Sequence, residues 1–262
     1  MNSIGNIKTI AKRELGAYFT SPVAYVFIVI FLFLSSLFTF MIGGFFERGE
    51  ATLKDSFFVW HPWLYLFLVP AVGMRLWSEE RRQGTLEFLM TMPITPWQAI
   101  VGKFLASWAF LALALVLTFP VVLTVRHLGS PDMGVIISGY VGSALMAGAY
   151  LAITCLTSAM TRNQVISFII SVSLCLLLIL AGWPPVTRFV EIMSQWGFIA
   201  KLLTVFHATP ASLVDFIAAF SFMPHFEGFQ RGVLDSRDLL FFLSIIGFSL
   251  FGTSVVLRGL RS

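Results

Sequence analysis

The sequence predicts an all-α integral membrane protein, and three observations carry that reading. Apolar residues make up 58% of its 262 positions and charged residues only 11%, with a mean hydropathy of +0.89. Soluble domains carry about 25% charged residues, and one soluble core could not hide this much apolar surface. Six stretches contain no Asp, Glu, Lys or Arg: 15–46, 56–74, 104–125, 133–161, 163–187 and 239–257. Each approaches or exceeds the roughly 20 residues that a helix needs to cross hydrocarbon. None alternates apolar and polar residues at every second position, which excludes the strands of a closed barrel. The pI near 9.3 and net charge of +4 do not indicate nucleic acid, because the basic residues sit at helix ends and form no stripe.

Taken in order, residues 1–20 come first. Ile4, Ile7, Ala11, Leu15 and Tyr18 recur at helical spacing, with Lys8, Lys12 and Arg13 off that face. This pattern predicts an amphipathic helix lying in the headgroup layer. No small-residue cleavage site follows a short apolar core, so the segment does not read as a signal peptide. Ser21 and Pro22 cap and start the first span. Six transmembrane helices are predicted at about 23–45, 57–76, 98–125, 134–160, 164–183 and 239–257, within a single domain spanning 1–262. The fourth carries Gly139, Gly142, Ser143, Ala147, Gly148 and Ala152, small residues that let helices approach closely in lipid. Plain close packing is the favoured reading for that stripe over a flexible gate.

Charge sets the orientation. With both termini cytoplasmic, the inner side holds Lys8, Lys12, Arg13, Arg75, Arg81, Arg82, Lys103, Arg162, Arg258 and Arg261 against Glu14, Glu79, Glu80 and Glu87. The remaining basic residues are outnumbered by acidic ones on the other side, in keeping with the positive-inside rule. The segment 184–238 is too apolar for a free linker and too interrupted for a span. Short outer helices are expected at 187–206 and 211–223, with a turn at Pro224, His225 and Gly228. Asp238 then suits the N-terminus of the last span.

The most charged stretch, 77–97, lies between the second and third spans. Gly84 breaks a charged run, Pro93 stops a short apolar-faced helix containing Leu86 and Leu89, and Thr95, Pro96 and Gln98 form a helix start with a capping box. Glu80, Arg82, Gly84, Thr85, Leu86, Glu87, Leu89, Pro93, Gly102 and Lys103 together resemble the E-R-x-G-T-L-E-x-L…P…GK pattern of ABC-2 type transporter permeases. That resemblance implies a cytoplasmic gate and coupling helix docking onto a separate ATP-hydrolysing subunit, with Glu79, Glu80, Arg82, Gly84, Thr85, Leu86, Glu87, Leu89 and Pro93 as the coupling residues. It further implies an N-terminal elbow helix, paired outer helices before the last span, two permease copies meeting along their first and fifth spans, two ATPase copies and a bacterial inner membrane. The string His225–Ser244 is similar to the gliding-motility subgroup, which implies an extracytoplasmic, membrane-anchored auxiliary protein contacted by His225, Phe226, Phe229 and Arg231.

Resident chemistry is scarce. Gly102-Lys103 is followed by Phe104 and belongs to no GxxxxGK[ST] loop, so ATP and its Mg²⁺ are expected on the partner, and no cofactor in this chain. Cys155 and Cys175 suggest neither a disulfide framework nor a zinc site. His61, His127, His207 and His225 lack metal-ligand spacing and read as interfacial groups near the outer face. The charge-free runs hold no ionisable carboxylate or amine of the kind an ion-coupled transporter keeps in the membrane, which points to an external energy source. The function expected is therefore the permease subunit of an ATP-driven exporter. The alternative is a membrane scaffold that anchors an extracytoplasmic complex without moving a substrate. A lipid-metabolising enzyme ranks third, for want of a polar or metal cluster.

Overall fold

The computed structural model describes residues 3–49, 52–86, 94–194 and 210–259. Within them the chain is helical: α1 (Ser3–Thr20), α2 (Pro22–Leu37), α3 (Phe45–Arg48), α4 (His61–Gly73), α5 (Arg75–Gln83), α6 (Pro96–Val116), α7 (Phe119–Leu128), α8 (Met133–Met160), α9 (Gln164–Leu180), α10 (Pro184–Ser194), α11 (Pro210–Ala218), α12 (Phe222–Gln230) and α13 (Ser236–Gly259).

The caps account for most boundaries. The Ser21 hydroxyl accepts from the Val23 amide with Pro22 at the first helical position, and Thr95 and Gln98 complete the predicted capping box. Asp132 and Asn163 cap α8 and α9 in the same way. A π-helical turn, Phe38–Ile42, ends the first span, and Gly44 follows in the left-handed region. The long helix of the third span breaks at Leu117–Thr118, ahead of Pro120. Proline there removes a helical donor. The Thr118 hydroxyl meets the Leu115 carbonyl at 2.6 Å and the Tyr140 hydroxyl at 2.7 Å, so the break is held by side-chain bonds.

Four helical stretches are long and apolar enough to cross a membrane: Pro22–Arg48, Pro96–Leu128, Met133–Met160 and Ser236–Gly259. A fifth is reached by counting α9 and α10 as one span, and those two are bent by 78°. The second predicted span is shorter than expected. α4 has 13 residues, which is about 20 Å at 1.5 Å per residue, and it ends at Met74, where the charged helix α5 begins. Large apolar side chains cover the outside of the long helices, among them Val29, Phe33, Ile169, Leu177, Leu240 and Phe251. Lipid is the solvent that tolerates such a surface.

α8 is the hub, packed against α4, α5, α6, α9, α12 and α13. Its small residues are seats for rings. A Cβ on Gly139 would stand 2.5 Å from Phe58, one on Gly142 2.5 Å from Phe229, and one on Gly148 2.9 Å from Trp108. α8 runs unbroken for 28 residues, so its small stripe packs and does not hinge. α1 lies along α6. A Cβ on Gly102 would stand 2.7 Å from Ile10, and Tyr18 stacks on Phe110 at 4.9 Å. Burial pushes the Tyr18 phenol up to about 12, and its hydroxyl meets that of Ser107 at 2.9 Å. Of the predicted apolar face, Ile7, Ala11, Leu15 and Tyr18 are half-buried against the bundle, whereas Ile4 is 81% exposed.

The outer segment differs from expectation in two places. The helix expected at 187–206 begins earlier, at Pro184, and its residues beyond 194 lie outside the described ones; in place of one helix over 211–223, α11 ends at Ala218 and α12 begins at Phe222. Pro224, His225 and Gly228 lie inside α12 and form no turn, because the Ser221 hydroxyl caps that helix and Pro224 falls in its first turn, where its missing donor costs nothing.

Candidate functional site

The stretch that carried the family resemblance is built around α5. Three groups of α8 fix its start. The Ser158 hydroxyl accepts from the Trp77 and Ser78 amides, each at 3.0 Å, and donates to the Met74 carbonyl at 2.8 Å. It thereby satisfies backbone groups freed where α4 gives way to α5. The Trp77 indole donates to the Cys155 sulfur at 3.2 Å, and the Arg81 guanidinium donates to the Ala159 carbonyl at 2.6 Å. Burial, and then the neighbouring Arg162, hold the Arg81 guanidinium below its ordinary value.

A second clamp is ionic. Lys103, on α6, is 5% exposed. Its Nζ lies 2.8 Å from Glu80 Oε1 and 3.5 Å from Glu14 Oε2, and 5.5 Å from the centre of the Trp77 ring. Glu14 also takes a 2.7 Å bond from Arg13. Burial alone would raise the Glu14 carboxyl, but Lys103 and Arg13 outweigh it and hold it below its usual 4.5. One ammonium therefore ties α1, α5 and α6 together.

The predicted coupling residues thus divide. Glu80 turns inward onto Lys103, with its side chain 20% exposed. Glu79 accepts from Arg82 and Gln83, each at 2.6 Å, and the Arg82 bond leads in holding the Glu79 carboxyl low. Arg82, Gln83, Gly84 and Thr85 are exposed. Gly84, at φ 71°, caps α5 in a left-handed conformation that favours glycine, and this turns the chain at the exposed tip. Leu86 is buried just beyond it. Glu87, Leu89 and Pro93 lie outside the described residues. Sequence reasoning missed Glu14, Trp77 and Ser158. Glu14 was legible as the one acid on an otherwise basic α1, but its partner on α6 was not.

The outer residues divide as well. Phe226 and Phe229 are 1% and 0% exposed. Phe229 seats on Gly142 of α8, so the aromatic pair expected at an outer contact faces the bundle in this chain. His225 stacks on Phe241 at 3.8 Å, and its Nδ1 lies 2.7 Å from Asp238 Oδ1, which ties α12 to the start of α13. Arg231 is solvent-facing and pairs with Glu227 at 2.8 Å. His61, expected at an interface, is fully buried in the bundle, with Nδ1 2.7 Å from the Ser143 hydroxyl. His207 lies outside the described residues. Among the described residues no three His, Cys, Asp or Glu side chains are placed to hold a metal, and Cys155 and Cys175 are both free and buried.

No curated protein matches the chain. The family model described as "ABC-2 family transporter protein" matches residues 8–217, which include α1, the α5 clamp, the exposed tip and most of the spans. The chain belongs to the ABC-2 family of transporter proteins, as a membrane-spanning permease subunit of an ABC transporter and not its ATPase.

Proposed function

We propose that this chain forms the transmembrane pathway of an ATP-driven exporter, with the tip Arg82–Thr85 and the residues that follow it docking onto the ATPase subunit. The observation that carries the reading is the pairing of an exposed, glycine-capped tip with a rigid root. α5 is bonded to α8 through Ser158, Cys155 and Ala159, and to α6 and α1 through Lys103. A push on the tip therefore reaches the hub helix and the interfacial helix together. Such a lever suits a subunit that receives work from a partner.

The topology proposed with it has six crossings and both termini cytoplasmic. α4 completes its crossing by drawing on the 3₁₀ turn Phe58–Trp60 and the buried start of α5. Phe58 to Ser78 covers about 30 Å at 1.5 Å per residue, and charge follows directly at Glu79. Two copies would pair along the exposed apolar faces of α2 and α9. The outer helices close over the spans as a lid, supported by the inward-facing Phe226 and Phe229. An auxiliary outer protein would instead have to meet Phe216, Phe220 and Arg231, which are exposed. A photo-crosslinker at Phe220 that yields only lipid and intra-permease adducts removes that partner.

The docking test uses Arg82→Glu and Glu87→Lys. Exposed ion pairs stabilise little, so Arg82→Glu should insert and melt like the wild type, and Glu87→Lys is compared at matched insertion and melting. Reversed charge at a docking face repels, so both should lose capture of the ATPase and substrate-stimulated hydrolysis. Normal capture and coupling in both would overturn the assignment. Hydrolysis that is coupled but indifferent to every amphiphile offered would favour the scaffold reading.

A further inference from the structure

A cavity of about 280 Å³ lies between α1, α2, α4, α5 and α6. Its lining is divided by chemistry. Glu14, Tyr18, Arg75 and Lys103 supply its polar groups, while Ala24, Phe27, Val72 and Phe110 supply its apolar ones. The lining includes Ser21 at the α1–α2 corner, where the amphipathic helix α1 meets the first span. That corner is at headgroup depth for any chain whose α1 lies in the interface.

The charges around the cavity are unequal in their freedom. Lys103 is engaged by Glu80 and Glu14, and Glu14 also by Arg13. Arg75 is exposed and makes no hydrogen bond or ion pair among the described residues. The acid nearest to Arg75 in charge, Glu79, takes its hydrogen bonds from Arg82 and Gln83, so the donors of the Arg75 guanidinium stay open. That group presents paired donors suited to phosphate oxygens.

We propose that this cavity binds the phosphodiester headgroup of a membrane glycerophospholipid. Arg75 holds the phosphate, and the first methylenes of an acyl chain lie against Ala24, Phe27 and Phe110. A volume of about nine waters at roughly 30 Å³ each holds a headgroup and the top of a chain, not a whole lipid, so the tails continue into the bilayer beside α2. One guanidinium with open donors suits one phosphodiester, so the site reads the phosphate and not a second anionic group. The bound lipid rests on Glu14 and Lys103 and so touches the root of α5, which makes the stance of the lever sensitive to the leaflet. The inference needs only that the chain spans a membrane, and it stands whether or not the chain exports anything.

The experiment reconstitutes the full chain in vesicles with a photoactivatable glycerophospholipid or the matching diacylglycerol, which lacks the phosphate. Adducts are mapped to the peptides holding Phe27 and Phe110. The phospholipid should label these peptides at least about tenfold more than the diacylglycerol, the factor expected for a charge-assisted contact. Arg75→Gln should fall to the diacylglycerol level, Arg75→Lys should keep part of the signal, and Ala24→Phe, which fills part of the cavity, should lose labelling by both. Phosphatidylethanolamine and phosphatidylglycerol probes should label alike. Equal labelling by diacylglycerol, wild-type labelling of Arg75→Gln, or protection by millimolar inorganic phosphate would each overturn the proposal, the last by assigning the site to free phosphate.

Discussion

Replacing Lys103 with methionine tests whether one ammonium holds three helices. Methionine keeps most of the stem's volume and its contact with Trp77, so packing loss is small. What is lost is the partner of two carboxylates. Glu80 and Glu14 side chains are each 20% exposed, and Glu80 Oε2 is already buried without a hydrogen bond. Removing one member of a fully buried pair costs about 3–5 kcal/mol. Glu14 keeps Arg13 and some contact with solvent, so about 2–3 kcal/mol is expected here. At roughly 2–4 °C per kcal/mol for a chain of this size, the unfolding midpoint should drop by about 4–12 °C, followed by tryptophan fluorescence in one detergent. Because the cost lies in stranded carboxylates, adding Glu80→Gln should return much of it, giving a strongly non-additive cycle. A Lys103→Met protein that melts within a degree of the wild type would refute the ionic clamp. So would a double variant whose losses simply add, since that would mean that the lysine acts through its stem alone.

Three further outcomes follow from the same geometry. Glu14 has a lowered carboxyl, so its stabilisation is present above the ordinary value of 4.5 and is lost as pH falls through the lower folded value; Lys103→Met removes the leading lowering influence, so this acid-side loss should shrink and the gap in melting point between variant and wild type should narrow as pH falls, while a gap that does not change with pH would discount the Glu14 contact. Single cysteines at Gln83 and Ser236, with Cys155 and Cys175 replaced, should label from opposite faces in intact cells, because three crossings are proposed between them; labelling of both by an impermeant reagent would require an even number. Gly142→Val should lose about 1–3 kcal/mol by overpacking Phe229, whose Cβ would lie 2.5 Å from the new carbon, and Phe229→Leu should recover part of it; a Gly142→Val chain as stable as the wild type would mean that α12 does not rest on α8.

Much of the architecture could be read because it follows local rules. The caps at Ser21 and Thr95 and the stop at Gly84 each depend on residues within four positions, and each appears where the pattern put it. The charge-free runs marked most helices for the same reason, since hydrocarbon excludes charge residue by residue. The second run, 56–74, was harder to read. Pro70 and the break at Met74 shorten α4, and the Ser158 hydroxyl that steadies the break comes from 84 positions away.

The residues that were misread were misread in one direction: polar and aromatic groups assigned to a surface lie inside. His61 bonds Ser143, Glu80 bonds Lys103, and Phe226 and Phe229 fill the space beside α8. In a soluble chain, composition along a helix tells its two faces apart, because one of them meets water. Here the outward face meets lipid and is as apolar as the core, so a phenylalanine on α12 carries no mark of the side it takes. For polar groups the signal is inverted. Burial in lipid without a partner is costly, so a histidine, serine or lysine near a span is drawn toward its own bundle, where partners exist. The charged triad Glu14, Glu80 and Lys103 is the strongest instance. Each member lies close to a charge-free run where single-sequence reading places solvent, yet the two carboxylates converge on one ammonium at the junction of α1, α5 and α6. The polar residues flanking the charge-free runs are therefore better read as candidates for mutual contact than as a solvated rim.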